Sequence, residues 1–126
     1  MQRSKILCFN IGGESLKKLR RCADKISAES AAVPQSDFSQ TVGALLGVLP
    51  KSLAVCMAPF KESMLIMAGL ERKQMERFLD LLKEENIIIP YKAMVTPTNL
   101  TWQCDALIKE LKKEHEQIRS MQKNNE

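Results

Sequence analysis

The sequence predicts an α/β domain on a four-stranded, mostly parallel sheet, with the element order βαβαβαβα and the appearance of two βαβα repeats; a ferredoxin-like mixed sheet is the alternative. Three observations lead there. Short apolar runs alternate with amphipathic stretches of helical period, which is the pattern of crossover units. The runs Ile6–Phe9 and Met64–Ala68 are continuously apolar, as strands covered on both faces are. The 126 residues, 44% of them hydrophobic, suffice for one core. Residues 1–111 read as a single α/β domain, and 112–126 as a polar helical extension or frayed tail.

The elements follow in order. Ile6-Leu7-Cys8-Phe9 is a buried strand, ended by Asn10 and the Gly12-Gly13 turn. Leu16, Leu19, Ala23 and Ile26 recur at helical spacing, with Lys17, Lys18, Arg20 and Arg21 on the other face. Ala31–Val33 is a weak strand and Pro34–Asp37 a loop. Asp37 with Gln40 resembles a capping box opening a helix over Thr41–Leu46, which Gly47 closes. Residues 48–62 are irregular and apolar. Met64–Ala68 is a strand stopped at Gly69, and Met75, Phe78, Leu79 and Leu82 mark the next helix. Pro90 cannot donate to a ladder, which places the fourth strand at Lys92–Thr96. Pro97 suits the first turn of the last helix, whose apolar face is Leu100, Cys104, Leu107, Ile108, Leu111 and Ile118.

The halves align. Ile6 matches Leu65, Ile11 Leu70, Leu16 Met75 and Leu19 Phe78 at one offset, 59 positions (65 − 6). Phe38 matches Leu100 and Ala44 matches Ala106 at another, 62 positions (106 − 44). Either an internal duplication or two amphipathic units of similar build account for this.

Three stretches carry a resemblance. Gln40-Thr41-Val42-Gly43-Ala44-Leu45-Leu46-Gly47, Pro59-Phe60 before Met64-Leu65-Ile66-Met67, and above all Lys92-Ala93-Met94-Val95-Thr96-Pro97-Thr98-Asn99 with Trp102 resemble DUF3783, a domain of unknown function. The resemblance extends from the first strand to Leu111. It implies a small bacterial cytoplasmic protein and supplies no activity.

Function is less legible. If the strands are parallel, Asn10, Gly12, Gly13, Thr96, Thr98 and Asn99 gather at one rim, where α/β sheets bind ligands beside free helix N–H groups. They would orient a small polar or anionic ligand. The competing explanation is that these residue types simply cap helices. The loop Val48–Phe60 offers a second site. Leu53, Val55, Met57 and Phe60 form an interface for a second copy or another protein if they are exposed, and a lid on the sheet edge if they are not.

Other chemistries find little support. Cys8, Cys22, Cys56 and Cys104 include no CxxC pair, so they read as reduced core thiols and no cofactor is expected. His115, the single histidine, lies three helical turns beyond Cys104, so no metal site is expected. Whether any reaction is catalysed stays open. The net charge of +4 is mild, aromatic residues are 5%, and the basic residues lie on helix faces among acids, which argues against nucleic acid. Pro50, Pro59, Lys51 and the glycines break the apolar stretch Val42–Phe60, so no membrane span is expected. A cytoplasmic location follows from the reduced thiols and from Ile6–Ile11 being too short for an export signal. The function expected is a non-enzymatic binding or protein-interaction domain; the alternative is a small enzyme or sensor acting at the strand ends.

Overall fold

The computed structural model describes residues 4–124, with side chains to residue 120. Residues 1–3 of the expected domain and 125–126 of the expected tail lie outside the described residues. The order is β1 (Lys5–Phe9), α1 (Gly13–Lys25), β2 (Glu29–Ala32), a 3-10 turn (Gln35–Asp37), α2 (Val42–Leu45), β3 (Met64–Ala68), α3 (Arg72–Glu84), β4 (Tyr91–Met94), a second 3-10 turn (Asn99–Thr101) and α4 (Cys104–Asn124).

The strands lie in the order β2-β1-β3-β4. β1 and β2 are parallel, β3 and β4 are parallel, and the central pair β1–β3 is antiparallel, with Lys5 opposite Ala68 and Phe9 opposite Met64. The sheet is therefore mostly parallel, with one antiparallel pair at its middle. That pair corrects the expectation of a single rim. The segment between β2 and β3 need not return to the far end of the sheet. It lets β3 enter where β1 and β2 finish.

Alternation along the central strands divides the core. Ile6, Cys8, Leu65 and Met67 face α1 and α3, together with Leu19, Cys22, Phe78 and Leu82. Leu7, Phe9, Met64 and Ile66 face the other way, onto Phe38, Val42, Cys104, Leu107 and Ile108. Helices cover both faces, so the ferredoxin-like alternative, with helices on one face, does not hold. Two-sided cover also explains why β1 and β3 read as unbroken apolar runs.

Two helix starts differ from expectation. α2 is capped by Thr41, whose Oγ1 accepts from Ala44 N at 3.0 Å, because that hydroxyl sits directly before the apolar turn. Asp37 instead ends the first 3-10 turn, and Gln40 is buried against the loop. α4 starts at Cys104 rather than Pro97, because Thr96 and Asn99 close a turn of their own.

The halves share backbone detail at the offsets seen in the sequence. β1 and α1 recur as β3 and α3 after 59 positions (64 − 5 and 72 − 13), and β2 and α2 as β4 and the start of α4 after 62 (91 − 29 and 104 − 42). Ser27 and Asn86, 59 apart, both hold φ of 57°. Leu7 pairs with Ile66, its own counterpart, at the centre of the β1–β3 ladder. Val42 N donates to Trp102 O at 2.9 Å, and Cys104 N donates to Gln40 O at 3.0 Å. These reciprocal pairs define a local twofold axis between the halves.

Candidate functional site

The predicted ligand residues fall into two groups at opposite ends of the sheet. Asn10, Gly12 and Gly13 lie beside the start of β3, whereas Thr96, Thr98 and Asn99 follow the end of β4. A five-residue strand separates the groups by about 16 Å along the sheet. They cannot touch one small ligand together.

The polar side chains of both groups are also occupied within the fold, Asn10 at one end and Thr96 and Asn99 at the other. Asn10, at φ 57°, donates from Nδ2 to Phe60 O at 2.8 Å and Glu62 O at 2.9 Å, and its Oδ1 accepts from Gln35 Nε2 at 3.1 Å. At the other end, Asn99 Oδ1 accepts from Thr96 N at 2.8 Å and Asn99 Nδ2 donates to Met94 O at 2.9 Å. Thr96 Oγ1 accepts from Asn99 N at 3.1 Å. Thr96 and Asn99, satisfying backbone within five residues, are turn formers, whereas Asn10 ties the end of β1 to the segment before β3. Thr98 precedes the second 3-10 turn without a side-chain cap bond. Among the described residues, no buried side-chain polar atom lacks a partner.

One feature remains at the Asn10 end. Gly12 occupies the N-cap of α1 and supplies no side chain to its first N–H groups. Its counterpart, Glu71 (71 − 12 = 59), starts α3, where Gln74 Oε1 accepts from Glu71 N at 2.9 Å. The α1 start opens onto an uncharged cleft of about 430 Å³ lined by Asn10, Gly12, Ser15, Ser63 and the turn Asn86–Ile89.

The apolar loop is anchored in three places. Buried Gln40 donates from Nε2 to Ser52 O at 2.7 Å and accepts from Ser52 N at 2.8 Å. Cys56 N donates to Ser36 O at 3.0 Å, and Asn10 holds the carbonyls of Phe60 and Glu62. Between these anchors Leu53 is 100% exposed, Val55 62% and Met57 90%. Phe60 differs from those three. Its ring stacks on Phe38 at 4.4 Å and lies 5.9 Å from Phe9, as part of the core that the loop closes. It is a lid residue, not part of the exposed surface.

A cleft of about 330 Å³, not anticipated from the sequence, lies between β4 and α4. Glu62 pairs with Lys112 there, and Tyr91 packs on His115 with ring centroids 4.9 Å apart. Lys112, His115 and Arg119 share one helix face by their i, i+3, i+7 spacing, and that signal was available. The contributions of Tyr91 and Glu62 needed the fold. The hydrogen bond from Lys112 lowers the Glu62 pKa.

Three of the four thiols, Cys8, Cys22 and Cys104, are poorly placed for chemistry. Burial pushes Cys8 and Cys104 up to about 12, and burial, with Glu85 adding to it, raises Cys22. A reactive thiol needs the opposite shift. Among the described residues, no group of three or more His, Cys, Asp or Glu could hold a metal ion, and no helix is long and apolar enough to cross a membrane.

The architecture defines a class: a mixed α/β domain of two βαβ halves joined through antiparallel central strands, helices on both faces. Over residues 63–118 the chain matches the family model described as Domain of unknown function (DUF3783). The match takes in β3, α3, β4 and most of α4, and with them Met64–Met67, Lys92–Asn99 and Trp102. Gln40–Gly47 and Pro59-Phe60 fall outside it, so it is narrower than the resemblance read from the sequence. Comparison with curated proteins and with solved structures returned no match.

Proposed function

We propose that the protein is a non-enzymatic binding or protein-interaction domain that docks through Leu53, Val55 and Met57. One observation carries this reading: three large apolar side chains stand in water on a loop that Gln40, Ser36 and Asn10 hold in place. A loop free to collapse would bury them. Exposed apolar groups clustered on a held segment are what an interface needs. The test is a photoreactive amino acid at position 53 or 57 of the full chain in cells. Crosslinks to protein are expected there, well above those from Lys17, an exposed control position on α1. Yields no higher than the control would end the reading. In keeping with it, the free cysteines fit a cytoplasmic protein, and residues 4–56 read as a diverged second copy of the unit matched at 63–118.

A second reading has one observation in its favour. The uncapped start of α1 opens onto the cleft beside Asn10, Gly12 and Gly13, and free N–H groups suit a small anionic ligand. A thermal-shift screen of phosphorylated metabolites tests it. A ligand that binds the folded form raises the melting temperature, and a flat screen removes the reading.

A further inference from the structure

We propose that the partner of the apolar loop is a second copy of this chain, and that the loop docks in the cleft beside Ile88. The inference rests on the reading of Leu53, Val55 and Met57 as a docking surface and names what they meet.

Ile88 is 89% exposed, which matches the loop residues more closely than the other exposed apolar side chains do, Val48 at 49% and Ile118 at 55%. It stands at the cleft of about 430 Å³, with Ile11, Ile87 and Ile89 along the wall and Ser15 and Asn86 offering polar groups. No lining residue of this cleft is charged. The cleft at Glu62 and Lys112 and the groove along α3 from Lys73 to Glu84 are lined by charges instead. An uncharged cleft with isoleucines suits an uncharged apolar guest, and Leu53-Ala54-Val55-Cys56-Met57 is one.

The rims are complementary in charge. Between Asp37 and Glu62 the chain has no acid, and its two charged residues are Lys51 and Lys61. Glu84 and Glu85 come directly before Asn86 at the cleft, both exposed. Lys51 already has Asp37 at 3.1 Å, which leaves Lys61 as the cation more available to those glutamates.

Loop and cleft also lie at the same end of the molecule. Asn10 lines the cleft and holds the carbonyls that finish the loop. The loop closes the α2/α4 face, whereas the cleft opens beside the α1 start. Two copies meeting end to end about a twofold axis would place each loop at the other's cleft, giving two equal contacts.

The experiment is size exclusion with light scattering over a concentration series of the full chain, with Leu53→Asp, Met57→Asp and Ile88→Asp. All three positions are exposed, and circular dichroism and melting temperature check that the variants keep the fold. Wild type is expected at twice the monomer mass. Each variant alone should dissociate at concentrations at least about tenfold higher than wild type does. The decisive sample is an equimolar mixture of Leu53→Asp and Ile88→Asp. It retains one intact loop facing one intact cleft, so it should associate more tightly than either variant alone. A wild type monomeric throughout overturns the proposal, and so does a dimer indifferent to Ile88→Asp or a mixture no better than its components. Crosslinks from position 53 to a different protein, with a monomeric chain, would overturn this proposal while leaving the docking reading intact.

Discussion

Asn10 offers the sharpest test of how the loop is held. Replacing it with Ala removes both donors to Phe60 O and Glu62 O, and the acceptor of Gln35. Each hydrogen bond contributes about 1 kcal/mol net, less where water reaches it. The residue also holds φ 57°, where alanine costs about 1 kcal/mol more than asparagine or glycine. Asn10→Ala should therefore destabilise by about 3 kcal/mol, and Asn10→Gly, which keeps the backbone freedom, by about 2 kcal/mol. Urea unfolding followed by circular dichroism measures both. With a slope of about 1.5 kcal/mol per molar, the alanine midpoint falls by about 2 M. If Asn10→Ala lies within about 0.5 kcal/mol of wild type, Asn10 does not anchor the loop; if glycine is as harmful as alanine, the positive φ contributes nothing and the hydrogen bonds carry the whole effect.

Three further outcomes are expected. Leu53→Asp and Met57→Asp should leave the stability of the isolated chain within about 0.5 kcal/mol, whereas Phe60→Ala, which empties the stack on Phe38, should cost about 2–4 kcal/mol; chemical denaturation separates the two. In the native protein at pH 8, a disulfide reagent should leave Cys8 and Cys104 unmodified, since burial holds their thiols up to about 12, and should label all four cysteines once the chain is unfolded; fast labelling of four native thiols would contradict the burial. The Glu62 pKa is lower in the fold than in the unfolded chain, so its pairing with Lys112 stabilises above the unfolded carboxyl value of about 4.3 and is lost as pH falls through the folded value. Both side chains are about a third exposed, so the effect stays below about 1 kcal/mol. Lys112→Met should flatten the acid limb of a melting-temperature profile, and an unchanged limb would show that the pair contributes nothing.

The sequence disclosed strands and helices better than their directions. Ile6–Phe9 and Met64–Ala68 announced themselves by unbroken hydrophobicity, and Leu16–Ile26 and Met75–Leu82 by helical period. Nothing in such patterns says which way β3 runs. Burial on both faces looks the same for parallel and antiparallel neighbours, and the long segment from Val33 to Ser63 allowed either. The expected single rim failed for that reason, and its six residues split between the ends. Thr96 and Asn99 form a turn of their own rather than the helix caps that were the alternative, because each reaches backbone within five residues, whereas Asn10 reaches across the fold to the carbonyls of Phe60 and Glu62. The exposure of Leu53 and Met57 and the partial burial of Phe60 were unreadable from composition. All are apolar loop residues, and only the packing of Phe9 and Phe38 decides which of them goes inside.

The seam between the halves bears on how the molecule tolerates breakage. Pairing within each half joins residues 24 or 27 positions apart (29 − 5 and 91 − 64), but the β1–β3 ladder joins Lys5 to Ala68, 63 apart. Each half can thus assemble over short loops, with the ladder closing the longest one. A protease cutting at Leu53 or Met57 would sever none of these pairings. The nicked protein should migrate as one particle in native conditions and as two peptides in denaturant, its halves acting as subunits that happen to be synthesised in tandem.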